Sequence, residues 1–219
     1  MINSSRSITV LGLILACSAG RASAAGGKPE SNSTAPHSYQ VDAKRSRFIV
    51  ETQTTGLSAM FAHDHRIEVR DFSGQAVFRP DQPKASSLQL TVRAPSLFLV
   101  GEENIGARQS VESALREDVL ETNAYPEITF KSRSVTAQRR GDGTYDARIA
   151  GDLKLHGVKR AITIPVRVAL EGGALHAIGV FELRQTDFGI TPFSFSGGTV
   201  GIKDTVTLSF DVVAAQPRS

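Results

Sequence analysis

The chain has 219 residues, with 25 Lys and Arg against 22 Asp and Glu, a formal net charge of +3 at pH 7 and one cysteine. Apolar residues make up 40% of the sequence, which is enough for a packed core. The basic residues form no cluster interleaved with aromatic side chains, so the composition argues against a nucleic-acid-binding protein. No apolar run reaches the roughly 20 residues that a transmembrane helix needs.

The first 24 residues have the features of a secretory signal peptide. Arg6 supplies a positive start, and Ile8–Ala16 is a short apolar segment. Ala22-Ser23-Ala24 fits the small-residue pattern at which such peptides are cleaved. Residues 1–24 are therefore predicted to direct export, and the mature protein is expected to be periplasmic or secreted.

Cys17 supports an alternative form of the same prediction. Ile14-Leu15-Ala16-Cys17 is similar to a bacterial lipobox, in which the cysteine becomes a lipid-bearing N-terminus. An unpaired thiol is disfavoured in an oxidising compartment, which fits either removal or lipidation of Cys17. Residues 25–38 are rich in Gly, Ser and Pro and are predicted to be a flexible leader or tether.

The domain is predicted to span residues 39–214, with residues 215–219 as a disordered tail. Its first half alternates apolar and polar residues with a period of two, which is typical of half-buried strands. Ser46–Thr54 follows this pattern, and Arg66–Arg79 is predicted to be one long strand with a bulge at Gly74. The period changes only in Ser110–Leu120, where apolar residues recur at helical spacing. This segment predicts one short helix, with Ser110 as its N-cap, that closes an open end of the sheet.

The second half contains the clearest hairpin of the chain, Gly151–Leu170. The alternation stops only at His156-Gly157-Val158-Lys159, so this segment is predicted to be the turn. Pro165 lies in the second strand and cannot donate a backbone hydrogen bond, so it should mark a bulge or a weak seam. Thr186–Gly198 is a loop rich in Gly, Pro and Phe. About eight strands joined by hairpins favour an all-β, closed, up-and-down antiparallel barrel with one short α-helix, with a two-sheet sandwich as the alternative.

Two histidines are the sharpest chemical signal. His63 and His65 are two residues apart, so on a strand they would share a face and could reach one metal ion. No second metal-binding motif accompanies them, and surface or capping histidines are the simpler interpretation. A hydrolase is not predicted either, because the sequence has no G-x-S-x-G nucleophile motif.

Four segments carry a resemblance to the YceI-like family. They are Tyr39–Phe48, Tyr125–Ser132 (Y-P-E-I-T-F-K-S), Gly151–Val158 (G-D-L-K-L-H-G-V) and Lys203–Val206. The resemblance implies an eight-stranded, lipocalin-like barrel, exported by bacteria, that encloses a long-chain isoprenoid or quinone-like amphiphile. The His63-Asp64-His65 segment and Asp187–Pro192 depart from the common pattern and resemble a variant branch.

The expected function is therefore binding or transport of an isoprenoid or fatty amphiphile, with no catalysis and no cofactor. The alternatives are a metal-binding exported protein that uses His63 and His65, and an adaptor with a solid barrel. A homodimer is left open beside a monomer. The inward-facing candidates for ligand binding are Phe48, Val50, Phe61, Phe78, Leu90, Leu115, Phe130, Leu153, Leu155, Ile164, Val166, Phe181, Leu183, Phe188 and Phe210.

Overall fold

A computed structural model describes residues 38–56, 64–141, 143–195 and 200–217. The predicted signal peptide, the leader up to residue 37, Cys17, Phe61 and His63 lie outside these residues. The strands are β1 (Ser38–Val41), β2 (Arg47–Glu51), β3 (Thr54–Thr55), β4 (Arg66–Val69), β5 (Phe72–Val77), β6 (Ser87–Arg93), β7 (Leu97–Val100), β8 (Glu127–Gly141), β9 (Thr144–Leu155), β10 (Val158–Glu171), β11 (Ala174–Arg184), β12 (Ser194–Phe195), β13 (Val200–Ile202) and β14 (Thr205–Ala215).

The strands of the main sheet close into a barrel. The pairing order runs β1-β5-β6-β8-β9-β10-β11-β14, and β14 then pairs with β1 and completes the circle. Further along, β14 also pairs with β2, β2 with β4, and β4 with β7. The pairs β1/β2, β4/β5 and β6/β7 therefore act as three long strands, each interrupted once. With the five unbroken strands they confirm the predicted closed, eight-stranded antiparallel barrel.

The hairpin of β9 and β10 was predicted correctly in position, but its turn is shorter than the predicted His156–Lys159, because Val158 and Lys159 already belong to β10. Leu155 pairs with Val158 across the two turn residues, His156 at φ 50° and Gly157 at φ 74°. Two left-handed residues in succession match the right-handed twist of the flanking strands. A β-carbon at Gly157 would lie 2.6 Å from the ring of Tyr125, so the turn requires glycine there for space as well as for its φ.

The helix is longer than predicted and begins earlier. Helix α1 spans Ile105–Ala114 and continues as a π-helical turn over Leu115–Val119. Asn104 is its N-cap, because its side-chain oxygen accepts a hydrogen bond from the backbone N–H of Ala107 at 3.0 Å. Ser110 is not a cap; its hydroxyl donates to the carbonyl of Gly106 inside the helix.

No helix in the described part of the chain has the length and apolar character needed to cross a membrane.

The segment predicted as one strand, Arg66–Arg79, is divided between β4 and β5. Gly74 does not form a bulge in β5; it pairs in regular register with Leu90. A β-carbon at Gly74 would lie 2.9 Å from the carbonyl oxygen of Gln89, so glycine is needed there for close backbone approach. Irregularities of the wall lie elsewhere, where the register of β8 with β9 shifts between Ser132 and Ser134 and again between Arg139 and Gly141.

The hydrogen-bonded ladder of the barrel wall is interrupted in more than one place, and two of these gaps lie beside β7 and beside Pro165. In the first, β6 pairs with β8 but β7 has no strand beside its second edge among the described residues. In the second, β10 pairs with β11 only from Glu171 back to Arg167. This second gap begins beside Pro165, and it confirms the predicted weak seam.

A candidate ligand-binding cavity

The barrel encloses an interior cavity of about 290 Å³. Its lining is almost entirely apolar and comes from every strand of the closed barrel and from the helical segment. The period-two alternation explains this, because each strand turns its apolar residues inward and its charged residues outward. The cavity is therefore the inward face of the same sheet whose outward face is charged.

Most of the predicted site residues line this cavity. These residues are Phe48, Val50, Phe78, Leu90, Leu115, Phe130, Leu153, Leu155, Ile164, Val166, Phe181, Leu183 and Phe210. Phe188 does not: its side chain is only 1% exposed, belongs to the buried apolar core and does not border the cavity. Phe61 lies outside the described residues. Ligand contact by the lining residues stays a prediction.

The cavity also has lining residues that the sequence did not single out as site residues. Val119, which shares the helical spacing of Leu115, and Leu120, which follows the π-helical turn, reach it from the end of the helical segment. Leu208 and Val212 of β14 share a face with Phe210, so the alternation alone could have identified them. Ile190 follows a 3-10 turn and has no periodic signal.

Four aromatic rings form a row across the barrel. Phe72 meets Phe48 edge to face at 4.8 Å between ring centroids, and Phe48 lies 6.0 Å from Phe210. Phe210 in turn lies 6.4 Å from Phe181. These separations are those of favourable aromatic pairs, and the last three rings of the row give one zone of the cavity an aromatic wall.

Two buried hydroxyls of the cavity wall take part in hydrogen bonds of the fold. The hydroxyl of Ser86 accepts a hydrogen bond from the backbone N–H of Arg79 at 2.9 Å. The hydroxyl of Thr52 accepts one from the backbone N–H of His65 at 3.3 Å. These two groups are therefore engaged in holding the backbone of the wall.

Helix α1 closes the first gap in the barrel wall. Leu99 of β7 donates its backbone N–H to the carboxylate of Glu112 at 3.1 Å, so the helix caps a strand edge that lacks a partner strand. The turn that follows the helical segment is held at the β9–β10 turn. The ring of His156 packs against Tyr125 at 4.5 Å between centroids and lies 3.6 Å from the carboxylate of Glu121. One contact from within α1 and two from the turn after the helical segment therefore tie this region to the barrel wall.

The shifted carboxylate pKa values belong to ion pairs outside the cavity. Hydrogen bonds from the backbone N–H and the hydroxyl of Thr186, together with the Arg184 guanidinium, lower the pKa of Asp204. This network ties the end of β11 to the start of β14. A hydrogen bond from Arg140 and the nearby charge of Arg167 lower the pKa of Asp146 on the outer face. Both arrangements are those of structural ion pairs.

The metal hypothesis stays a prediction. Its residue His63 lies outside the described part of the chain. Asp64 accepts hydrogen bonds from the backbone N–H and the hydroxyl of Thr54, so its carboxylate is engaged in holding a loop. Among the described residues, no three or more His, Cys, Asp and Glu side chains are grouped in a way that could hold a metal ion.

Residues 39–214 match the sequence model of the YceI-like domain. The chain belongs to the YceI-like domain family. A relative named UPF0312 protein, from Pseudomonas savastanoi pv. phaseolicola, is 30% identical over 158 residues, covering 69% of this chain and 76% of that protein. The family predicted from the four sequence segments is thereby confirmed.

Solved structures resemble this YceI-like domain in fold. Burkholderia cenocepacia BcnA is 21% identical with a TM-score of 0.63, and the match covers 80% of this chain and 99% of BcnA. A domain from Saccharophagus degradans, described as a polyisoprenoid binding domain implicated in plant cell wall breakdown, is 15% identical with a TM-score of 0.58. That match covers 82% of this chain and 98% of the other. At these identities the likeness concerns the barrel fold.

Proposed function

We propose that this YceI-like domain is a non-catalytic carrier that encloses the apolar tail of an isoprenoid, quinone-like or fatty amphiphile. The observation that carries the proposal is the closed barrel with an almost wholly apolar cavity. A barrel interior of this kind replaces a bilayer as the solvent for a hydrocarbon chain. The name given to the similar Saccharophagus domain supports the isoprenoid class.

The volume of the cavity limits the part of the ligand that it holds. At roughly 30 Å³ for a group of water or methylene size, a volume of 290 Å³ accommodates about ten such groups. At about 0.8 kcal/mol for each buried CH₂ group, their transfer contributes at most about 8 kcal/mol before the costs of association. A longer chain requires either expansion of the cavity or a segment that remains outside it.

Filling the cavity tests this proposal directly. Ala177 faces the cavity, whereas Ala161 lies on the exposed outer face of β10. Native mass spectrometry and organic extraction of the purified protein should detect a lipid in the wild type and in Ala161→Leu, and less of it in Ala177→Leu. The proposal fails if purified wild type is empty and binds neither farnesol nor a fatty alcohol. Zinc or copper that is bound by the wild type and lost in the double variant His63→Ala/His65→Ala would support the metal hypothesis instead.

Export is the second part of the proposal and rests on the N-terminal sequence. Intact-mass measurement of the protein from a bacterial host distinguishes the two forms. A mature chain that begins at Ala25 indicates cleavage of the signal peptide, and a lipid-modified chain that begins at Cys17 indicates an anchored lipoprotein. A full-length chain in the cytoplasm would contradict export. A homodimer stays a prediction, which light scattering after size-exclusion chromatography would decide.

A further inference from the structure

The second gap in the barrel wall lies between β10 and β11. Their ladder runs from the pair Glu171 and Ala174 to the pair Arg167 and Ile178, and it stops there. Each strand keeps its other neighbour beyond this point: β10 stays paired with β9 as far as Val158, and β11 stays paired with β14 as far as Arg184. The wall is therefore intact on both sides of an unladdered seam.

Pro165 explains why the ladder stops. A β-carbon placed on Gly179 of β11 would lie 2.5 Å from the carbonyl oxygen of Pro165, so this carbonyl points toward β11. In an antiparallel strand the N–H and C=O of one residue point to the same side. The N–H that proline lacks is thus the one that would have bonded to β11. Continuing the register would place Pro165 opposite Val180, and no pair forms there.

A groove of about 840 Å³ lies on the outer face of the wall at this place. Part of its floor is apolar and exposed: Pro165, Ile178 at 39% and Val180 at 58% exposure. Ala147, Val166 and Phe210 border both this outer groove and the interior cavity. The outer groove and the cavity are therefore separated by one sheet layer, at the point where its ladder ends.

Four arginines also border the outer groove: Arg47, Arg66, Arg148 and Arg167. Arg148 forms no ion pair with any carboxylate of the described chain. The other three have carboxylate partners at 3.6–3.7 Å, beyond the range of a short charge-assisted hydrogen bond, and their side chains are 58–69% exposed. All four guanidinium groups are thus available to a further oxyanion.

Negative charge in the outer groove is less abundant. Asp146 and Asp211 are the two carboxylates that border it. Asp146 is engaged by Arg140 and Arg167, and Asp211 is bonded to His176 at 2.7 Å. The outer groove therefore combines an apolar floor with an excess of guanidinium groups, which suits an anionic amphiphile and disfavours a cationic one.

We propose that the outer groove binds the oxyanion head group, phosphate or carboxylate, of an amphiphile whose tail enters the cavity through the β10–β11 seam. This inference rests on the proposed carrier function and assigns the head group to residues of the chain. It also accounts for the part of a longer ligand that a 290 Å³ cavity cannot hold. Arg148 is the principal contact, because it has no competing carboxylate.

The test compares farnesyl monophosphate, farnesol and inorganic phosphate by isothermal titration calorimetry. The wild type should bind farnesyl monophosphate at least about tenfold more tightly than farnesol, because the phosphate accepts charge-assisted hydrogen bonds from the guanidinium groups. Arg148→Gln should lose most of this preference and leave farnesol binding unchanged. Arg45→Gln is the matched control, since Arg45 is an exposed arginine in the β1–β2 turn, outside the groove lining.

The outcomes separate the two proposals. Binding of neither prenyl compound overturns the carrier function. Equal binding of both compounds, or an unchanged preference in Arg148→Gln, overturns the head-group site alone. Inorganic phosphate that binds as tightly as farnesyl monophosphate, with no farnesol binding, would show a free-anion site without a tail and would also overturn it. Loss of the phosphate preference in Arg45→Gln would assign the effect to overall charge, against the proposal.

A second variant tests the route of the tail. Pro165→Val restores a backbone donor on the side of β11 and should slow both entry and release of farnesyl monophosphate by at least severalfold in stopped-flow measurements. The variant keeps all four arginines, so the preference for the phosphate over the alcohol should persist at equilibrium. Entry and release at the wild-type rates would contradict passage of the tail through the seam.

Discussion

The two gaps in the barrel wall are closed in different ways. Beside β7, the chain places helix α1, and the carboxylate of Glu112 accepts the N–H of Leu99 that no strand satisfies. Between β10 and β11, the 3-10 turn Gln185–Phe188 lies near the far end, where Arg160 donates to the carbonyl oxygen of Asp187 at 2.8 Å. The capped edge of β7 has its hydrogen-bonding group satisfied, which stabilises the fold. The β10–β11 seam has no hydrogen-bonded ladder and lies beside the arginine-rich groove, so it is where we propose that a ligand passes.

Gly179→Ala should have the largest effect, because it acts on the residue just beyond the last β10–β11 pair. The added β-carbon would lie 2.4 Å from the Phe210 ring and 2.5 Å from the Pro165 carbonyl oxygen. Relief of these contacts must move backbone, so we expect a loss of about 1–3 kcal/mol in the free energy of unfolding by urea. Gly141→Ala is the control, since a β-carbon there meets nothing within 4 Å. Equal stability of the two variants would show that β10 and β11 can move apart at the seam without a loss of stability.

Glu112→Ala removes the cap of the covered gap. The N–H of Leu99, a residue only 3% exposed, would lose its acceptor, and we expect a loss of about 1–2 kcal/mol in the free energy of unfolding. Glu117→Ala, at an exposed position in the same helical segment, should change the stability by less than about 0.5 kcal/mol. If both variants unfold at the same urea concentration, the helix contributes to closure through apolar packing alone.

Pro165→Val should extend the hydrogen-bonded ladder between β10 and β11 into the seam. The new amide at position 165 can donate to the carbonyl of Val180, and a hydrogen bond of this kind contributes about 0.5–1.5 kcal/mol. Hydrogen exchange should show protection of this amide, with little change at Arg167, which already pairs with Ile178 in the β10–β11 ladder. An unprotected amide at position 165 would mean that features other than the missing donor keep the strands apart.

Asp204→Asn should have the smallest effect, which appears in how the free energy of unfolding falls at acid pH. Hydrogen bonds from Thr186 and pairing with Arg184 lower the pKa of Asp204, so its contribution is present above the unfolded-state value of about 3.9. That contribution is lost as the pH falls through the lower folded-state pKa. Asp204→Asn should therefore be less stable than wild type at pH 7 and show a shallower loss on acidification. Asp118→Asn, at an exposed helical position, should retain the wild-type slope; a wild-type slope in Asp204→Asn would refute the assignment.

The family and most of the cavity lining were accessible from the sequence because they depend on local patterns. Period-two alternation assigns each residue to a face, so Leu153, Ile164 and Phe210 were placed inward without knowledge of their partners. The hairpin turn at His156 and Gly157 was equally local. The position of Phe188 was not accessible in this way, because its 3-10 turn has no such period and its burial depends on packing against other elements.

The sequence by itself determined the alternation, the hairpin turn, the presence of one helix and the missing donor at Pro165. Only the tertiary structure decided how the wall closes, since contacts such as that of Val213 with Ser46 join residues 167 positions apart. The same holds for the meeting of Arg47, Arg66, Arg148 and Arg167, which come from four different strands. The physical reason is that strand faces follow from neighbouring residues, whereas pairing partners follow from the free energy of the whole closed sheet.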